Sequence, residues 1–357
     1  MSIASITLYR FSLPLTQPYK LALGVVNAFD TVLCVTRDAD GNEGYGEATI
    51  LTGYTPETID DSWAIACGLA KQISGMGMDD AGPIIQAAHL SAPFTSTAMM
   101  TALEMCGRHP LLDVSQTATV PLLAIINASN EDGIVRETEA RLDEGFTTLK
   151  VKVGFEVEAD MARVRFIQNH LRGRALIRLD GNQGYAQDEA LRFCAGLEPA
   201  GIELLEQPCH ADDWDAAAAV AEVATVPMML DESIYGPDDI DRAAELGAAT
   251  YIKLKLMKAG GLGALADGLA HIRNRGMTPV LGNGVASDVG CWMEACTART
   301  TIDNAGEMNG FLKPETGIFE TPLAIINGSV VLPPGAPALK PGAMLSTMAT
   351  ATYSEGG

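Results

Sequence analysis

Apolar and polar residues alternate along this chain in two regimes. Up to about residue 115, strand-like runs at 2–13, 31–37 and 44–50, with the turn Asp38-Ala-Asp40-Gly41 between the second and third, predict a small antiparallel meander. Helical patterns follow at about 56–73, 80–90 and 95–107, the first opened by Thr55-Pro56 as cap and first helical residue. Strands followed by helices make an α+β module, assigned to residues 1–115. Its loops Thr16-Gln-Pro-Tyr-Lys20 with Leu21-Ala-Leu-Gly24, and Thr52-Gly-Tyr-Thr55, have the mobile polar-aromatic character of segments that close over a site.

From about residue 118 strand and helix alternate strictly. Strand-like runs at 119–126, 147–153, 175–180, 202–206, 227–231, 250–256, 277–282 and 303–309 are separated by helical stretches such as 157–171, 186–198, 212–224 and 237–247. Connections of that length suit parallel crossovers, and eight such strands favour a closed barrel over an open sheet. The expected fold is therefore α/β: a (β/α)8-type barrel over residues 116–325 with an N-terminal α+β capping domain. Its last unit is weakly patterned and expected to be irregular. Residues 326–357, rich in Pro and Gly, read as a tail returning to the cap.

Five barrel strands break their apolar runs with charge. TTLKVKV, ALIRLD, IELLE, PMMLD and TYIKLK carry Lys150-Val-Lys152, Asp180, Glu206, Asp231 and Lys253-Leu-Lys255, and from Lys152 onward the steps are 28, 26, 25 and 24 residues. Charges rarely sit in such runs without a partner or a task. In a parallel barrel they meet at the C-terminal rim, where the chemistry of such barrels sits. One acid there could merely cap the helix that follows it. Three in register offer hard oxygen ligands for Mg2+ or Mn2+. In each Lys-x-Lys pair both side chains point to one face. A second ammonium, a divalent cation and partial burial would each lower a lysine toward the range of a general base. Lys152 and Lys255, on the second and sixth strands, would then face each other across the metal. That arrangement suits removal of a proton next to a carboxylate.

Composition narrows the alternatives. The net charge of −21, with no Lys/Arg cluster, argues against nucleic acid. No apolar run reaches the length of a membrane span, and the first residues lack signal-peptide features, so a cytoplasmic protein acting off the membrane is expected. Seven scattered cysteines without a Cys-x-x-Cys pair read as reduced core residues. Gly261-Leu-Gly263-Ala-Leu-Ala266 fits a dinucleotide-binding pattern, but no acidic residue closes the next strand, which ends Val280-Leu-Gly. An NAD-dependent oxidoreductase is accordingly the weakest reading.

In order and spacing, Lys150-Val-Lys152, Asp180-Gly-Asn-Gln, Glu206-Gln-Pro, Asp231-Glu-Ser and Lys253-Leu-Lys255-Leu-Met-Lys-Ala-Gly-Gly resemble the enolase superfamily, and within it the muconate-lactonizing-enzyme-like subgroup. The resemblance spans nearly the whole chain. It implies Asp180, Glu206 and Asp231 as Mg2+ ligands and Lys152 and Lys255 as acid/base residues, supported by Lys150, Lys253, Glu232 and Asn182. The mandelate-racemase-like branch would place a His near the seventh strand, but no His follows His271, which favours the two-lysine branch. A homo-oligomer acting on a small carboxylate is expected.

Substrate choice falls to the seventh and eighth strand ends and the capping loops: Asn283, Glu307 and Asn309, with Tyr54, Tyr19 and Trp292 as aromatic walls. Dipeptide epimerases of the family carry an Asp-x-Asp pair for the substrate ammonium, where this chain has Glu307-Met-Asn309. The chain looks closer to cis-3-hydroxy-L-proline dehydratases and proline-betaine epimerases. Dehydration of a hydroxylated imino acid through an enediolate is thus the leading expectation. The alternative is racemisation or epimerisation of an amino acid, proline betaine or dipeptide.

Overall fold

A computed structural model describes residues 1–21 and 24–356. Strands β1 (Ile3–Leu21), β2 (Gly24–Asp38) and β3 (Glu43–Thr49) form the expected meander, followed by helices α1 (Ile59–Ile73), α2 (Met78–Ala87) and α3 (Pro93–Cys106). The first helix starts later than Thr55-Pro56 suggested: Thr58 caps it, its side chain accepting from Asp61 N at 3.2 Å. The segment Thr16–Lys20, expected as a mobile loop, belongs instead to a long hairpin in which Tyr19 pairs with Val26. Ala22 and Leu23, part of the same expectation, lie outside the described residues. Beside this arm, Thr16 N donates to Lys313 O at 2.8 Å, tying the hairpin to the far end of the chain.

After β4 (Ala118–Pro121) the barrel begins with β5 (Ala124–Ile126), α4 (Glu131–Asp143), β6 (Thr148–Lys152), α5 (Val157–Leu171), β7 (Leu176–Asp180), α6 (Gln187–Gly196) and β8 (Ile202–Glu206). It continues with α7 (Trp214–Val223), β9 (Met228–Leu230), α8 (Pro237–Leu246), β10 (Tyr251–Leu254), α9 (Leu262–Asn274), β11 (Thr278–Leu281) and α10 (Asp288–Thr301). Strands β5 to β11 pair in chain order as one parallel sheet. Each crossover helix turns one apolar stripe inward; α5, for instance, buries Val157, Val164, Ile167 and Leu171, spaced three to seven apart.

The single run expected at 119–126 is two strands with different tasks. β4 leaves the barrel to pair with β13 (Ser329–Leu332), itself paired with β12 (Ala324–Ile326), and only β5 joins the parallel sheet. No strand forms at 303–309; the eighth position is filled by irregular backbone. Leu123 N and Glu307 N donate to Gly306 O and Leu281 O, at 2.9 and 3.0 Å, so that segment still closes the ring between β11 and β5. The small, polar stretch Asp303-Asn-Ala-Gly-Glu-Met-Asn309 has no apolar face to hold a regular strand. Arg178, wholly buried on β7, braces it by donating to Ala305 O at 2.8 Å while pairing with Glu203. After α11 (Gly342–Met348), strand β14 (Ala351–Gly356) pairs antiparallel with β1, so the tail ends on the cap sheet.

Cap and barrel are joined by carboxylates that fill helix N-termini, where unpaired N–H groups and the helix dipole favour an anion. Glu104 of α3 accepts from Leu262 N and Gly263 N of α9, at 2.6 and 2.9 Å. The glycines of the dinucleotide-like pattern are thus occupied by a protein carboxylate, which leaves no place for a phosphate. Glu47 of β3 accepts from Ser287 N and Gly290 N at the start of α10, at 2.9 and 3.1 Å. Among the described residues no helix is long and apolar enough to cross a membrane. Replacing Glu104 with Ala should destabilise the protein by about 1–2 kcal/mol, the range of a lost helix cap. Equilibrium denaturation of the two proteins checks this, and an unchanged midpoint would show that the carboxylate contributes nothing to docking.

Candidate active site

Strand register sets the row of charges. Lys152, Asp180 and Glu206 are direct partners across β6, β7 and β8, so their side chains stand side by side. Lys150, two residues back on β6, shares the face of Lys152. Asp231 and Lys255 each follow their strand, β9 and β10, by one residue. Lys150 Nζ lies 2.8 Å from both Asp180 Oδ2 and Glu206 Oε2. Lys253 Nζ lies 3.0 Å from Glu206 Oε1 and 3.4 Å from Asp231 Oδ2. At the two ends of the row, Lys152 Nζ meets Asp180 Oδ2 at 2.6 Å and Lys255 Nζ meets Asp231 Oδ2 at 2.8 Å. Asn182 accepts from Lys152 and donates to Glu232 Oε1 at 3.0 Å, bridging the row to its neighbour.

Burial works against every one of these charges, and the opposite charges around them decide the outcome. Against that burial, Lys150, Lys152 and Lys253 hold Asp180 down at about 2. Likewise Lys255, Lys253 and Lys258 hold Asp231 well below the usual carboxylate range. Glu206 is pushed up, by burial first and then by the charge of Asp180. Lys150, Lys253 and Lys255 all stand above the ordinary lysine value, because the surrounding carboxylates outweigh burial. At these three lysines the closer and more numerous acids outweigh the lowering expected from a second ammonium and partial burial; the divalent cation that the same expectation included would add to that lowering.

The donor set suits a hard cation. Glu206 Oε2 and Glu232 Oε2 are buried yet accept no hydrogen bond; Lys150 is within ion-pair distance of the former but off the hydrogen-bond direction. Orphaned carboxylate oxygens beside two further acids, all on adjacent strand ends, fit Mg2+ or Mn2+. Among the described residues no three acids already converge on one metal position; lysine ammoniums stand between them.

A cavity of about 350 Å³ opens over this row. Tyr19, Tyr54, Asn283 and Glu307 line it. Tyr54 Oη accepts from Lys255 at 2.9 Å and donates to Asp231 Oδ1 at 3.2 Å, so the cap loop touches the row directly. Two sequence candidates lie elsewhere. Asn309 is not in the cavity wall and donates to Leu123 O at 3.4 Å, where it holds the eighth segment to the first strand. Trp292 is fully buried against Tyr45 and Phe319, between α10 and the cap. Its place on a helix buried on every side from Asp288 to Ala298, not its chemistry, decides its role.

Sequence reasoning passed over Lys258 and Tyr235. Lys258, in the quoted motif but without a role, is buried and sits 4.4 Å from the Tyr235 ring centroid, and donates to Tyr54 Oη at 3.3 Å. Burial pushes it down to about 8, against the pull of Asp231. Its periodicity was a usable signal, since Lys255 and Lys258 are one turn apart; Tyr235 offered none, because only the fold brings its hydroxyl to Tyr54 O at 2.9 Å.

A capped parallel barrel carrying acids and lysines on successive strand ends defines a class of enzyme, and the chain belongs to it: residues 133–342 match the family described as enolase C-terminal domain-like, of the enolase superfamily. Its likeness is to the muconate-lactonizing-like subgroup. The chain is 29% identical over 356 residues to the L-Ala-D/L-Glu epimerase of Bacillus subtilis, covering 95% of this chain and 96% of that one. It is 28% identical to muconate cycloisomerase 1 of Rhodococcus opacus, covering 94% of each. In fold it matches the dipeptide epimerase of Cytophaga hutchinsonii, solved with Mg and the dipeptide D-Ala-L-Val, at a TM-score of 0.88 and 22% identity, covering 99% of this chain and 100% of that one. The protein is therefore an enzyme of this superfamily. None of these relatives is a dehydratase, and the expected dehydration of a hydroxylated imino acid finds no support in them.

Behind Lys255, Glu294 of α10 accepts from Leu256 N at 2.7 Å and so fixes the backbone that carries the lysine; its other oxygen is buried without a partner. Burial raises this carboxyl from its ordinary 4.5 to about 8. A raised acid holds its proton longer in the folded state, so its contribution to stability is full below about 4.5 and is lost as pH rises to about 8. Glu294→Gln keeps the acceptor and removes the titration. Within that window the wild type should lose stability relative to the variant at about 1.4 kcal/mol per pH unit, read by denaturation at several pH values. Parallel stability curves would contradict the assignment.

Proposed function

We propose that this enzyme epimerises or racemises an amino-acid residue at the carbon next to its carboxylate, using Lys152 and Lys255 as opposed acid and base. The observation that carries the reading is the pair of lysines bracketing the carboxylate row, Lys152 on Asp180 and Lys255 on Asp231. The relatives at comparable length, an epimerase and a cycloisomerase, support an isomerase and favour what the sequence offered as its alternative.

Asp180, Glu206 and Asp231 would hold a Mg2+ ion, which supplies positive charge to the substrate carboxylate while the adjacent C–H is broken. Everything else falls to side chains of the chain. With the reacting carbon in the cavity between them, one lysine in its amine form takes the α-proton on one face, and the ammonium of the other delivers a proton to the opposite face. Configuration inverts, and the two lysines exchange roles for the reverse direction. Lys150 and Lys253, each locked between buried acids, stay charged and hold Asp180, Glu206 and Asp231 in register. Tyr54 positions Lys255 and closes the cavity from the cap side, and Asn182, on the barrel, positions Lys152.

Two outcomes follow. Chelation with EDTA should stop α-proton exchange in D2O over a panel of amino acids, dipeptides and N-acylamino acids, and added Mg2+ should restore it. Lys152→Ala and Lys255→Ala should each depress exchange from one enantiomer by roughly 10²–10⁴-fold, the range of a general acid–base contribution, while exchange from the other persists. Equal loss for both enantiomers in both variants, with Mg2+ affinity unchanged, would rule out opposed bases.

A further inference from the structure

The two lysines proposed as bases are held by different means. Lys152 is the last residue of β6, level with Asp180 of β7, and the ladder runs on past it: Val153 N donates to Asp180 O at 2.8 Å. Its other partners are Asn182 and Arg163, the latter donating to Lys152 O from α5, so its support lies between β6 and the loop after β7. Lys255 lies beyond its own strand. β10 ends at Leu254, whose carbonyl accepts from Gly282 N at 3.1 Å, and Leu256–Lys258 then form a single 3-10 turn that leaves the sheet. The backbone just past Lys255 is held by a side chain instead, with Leu256 N donating to Glu294 Oε1 of α10 at 2.7 Å.

A carboxyl is a costly acceptor in that place. Glu294 is almost wholly removed from water, and its second oxygen accepts no hydrogen bond. Burying a polar atom without a partner lowers stability, so an apolar side chain would serve the core better. What the carboxyl does achieve is to fix the turn on which Lys255 rides. The helix that carries it is set in turn from the cap. Gly290, one turn earlier on the same face of α10, leaves room for Glu47 of β3, because a side-chain carbon on Gly290 would collide with Glu47 Oε1. That oxygen accepts from Gly290 N at 3.1 Å, so the cap sheet sets the height from which Glu294 reaches Leu256.

We infer that Glu294 is a positioning residue for one face of the reaction: through Leu256 N it holds Lys255 at the reacting carbon, and it takes no part in the step made by Lys152. The inference rests on the opposed bases proposed above. Misplacing a reacting group by about 1 Å lowers its rate by about a hundredfold, so the loss of one backbone anchor is large enough to read in the kinetics.

The test follows α-deuterium incorporation from D2O into each enantiomer of a compound that the wild type exchanges, taken from the panel above, with Mg2+-loaded enzyme near neutral pH. Lys152→Ala and Lys255→Ala first assign each enantiomer to its lysine. Glu294→Met, close in volume but without an acceptor, should lower kcat for the enantiomer served by Lys255 by about ten- to a hundredfold. The enantiomer served by Lys152 should keep its wild-type rate. Glu294→Gln retains the acceptor oxygen, and burial keeps the native carboxyl largely protonated near neutral pH, so the amide matches it in charge and should restore the lost exchange. In a Lys255→Ala background, adding Glu294→Met should change nothing further, because two changes that act through one group do not add. Glu294→Ala removes the same acceptor and serves if Glu294→Met fails to fold. Equal loss for both enantiomers, loss on the Lys152 side or no loss on either would overturn the inference while leaving the opposed bases intact. A Gln variant as impaired as the Met variant would overturn it too. If Lys152→Ala and Lys255→Ala do not separate the enantiomers, the underlying reading falls and this one with it.

Discussion

The constraint on which the site depends is the burial of many charges at one end of a barrel. Lys150 and Lys253 are almost wholly removed from water, as are Asp180, Glu206, Asp231 and Glu307. A single such charge without partners would be strongly destabilising, and breaking one buried pair by removing a partner costs about 3–5 kcal/mol. The arrangement stands because signs alternate around the rim, with Lys150 and Lys253 each reaching three acids. Parallel register makes this work: partners across β6, β7 and β8 fall at one height, so a charge at the end of each strand meets its neighbours without further adjustment. The cap then completes the enclosure, with Tyr54 bonded to both ends of the Lys255–Asp231 pair.

Such a network is a poor source of stability compared with an apolar core of the same volume. Its retention in this chain is better understood through chemistry. The orphaned oxygens of Glu206 and Glu232 point to a group that the protein side chains do not replace, and of the four lysines lining the cavity the two at the ends of the row are the less deeply buried. The two lysines inside the row differ from the two at its ends. Lys150 and Lys253 touch three acids each and are held as cations, whereas Lys152 and Lys255 each touch a single acid of the row.

How much of this was legible beforehand follows from which interactions are local in sequence. The strand-plus-helix repeat was readable because each unit carries its own apolar run and its own terminal charge, and period-two geometry placed each Lys-x-Lys pair on one face. The eighth unit was not readable as a strand that fails, since Asp303–Asn309 is held by backbone bonds to Pro121, Leu123 and Leu281 and by Arg178, all on other elements of the barrel wall. Trp292 and Asn309 were misplaced for the same reason: a residue type suited to a cavity wall does not reveal which side of the element faces the cavity. Spacing shows the paired ammoniums, whereas the acids that outweigh them at Lys150, Lys253 and Lys255 arrive from other strands. Glu104 shows the converse, a lone helix residue whose partner, the glycine-rich start of α9, looked like a nucleotide site until the cap was in place.

The central claim is that the carboxylate row holds a divalent cation and that Lys152 and Lys255 address opposite faces of one carbon. A crystal structure of the enzyme with Mg2+ and a bound amino-acid derivative that it exchanges tests both parts at once. The account predicts a cation ligated by Asp180, Glu206 and Asp231, with the α-carbon lying between the two lysine nitrogens. A cation bound elsewhere, or both lysines on the same face of the ligand, would contradict it.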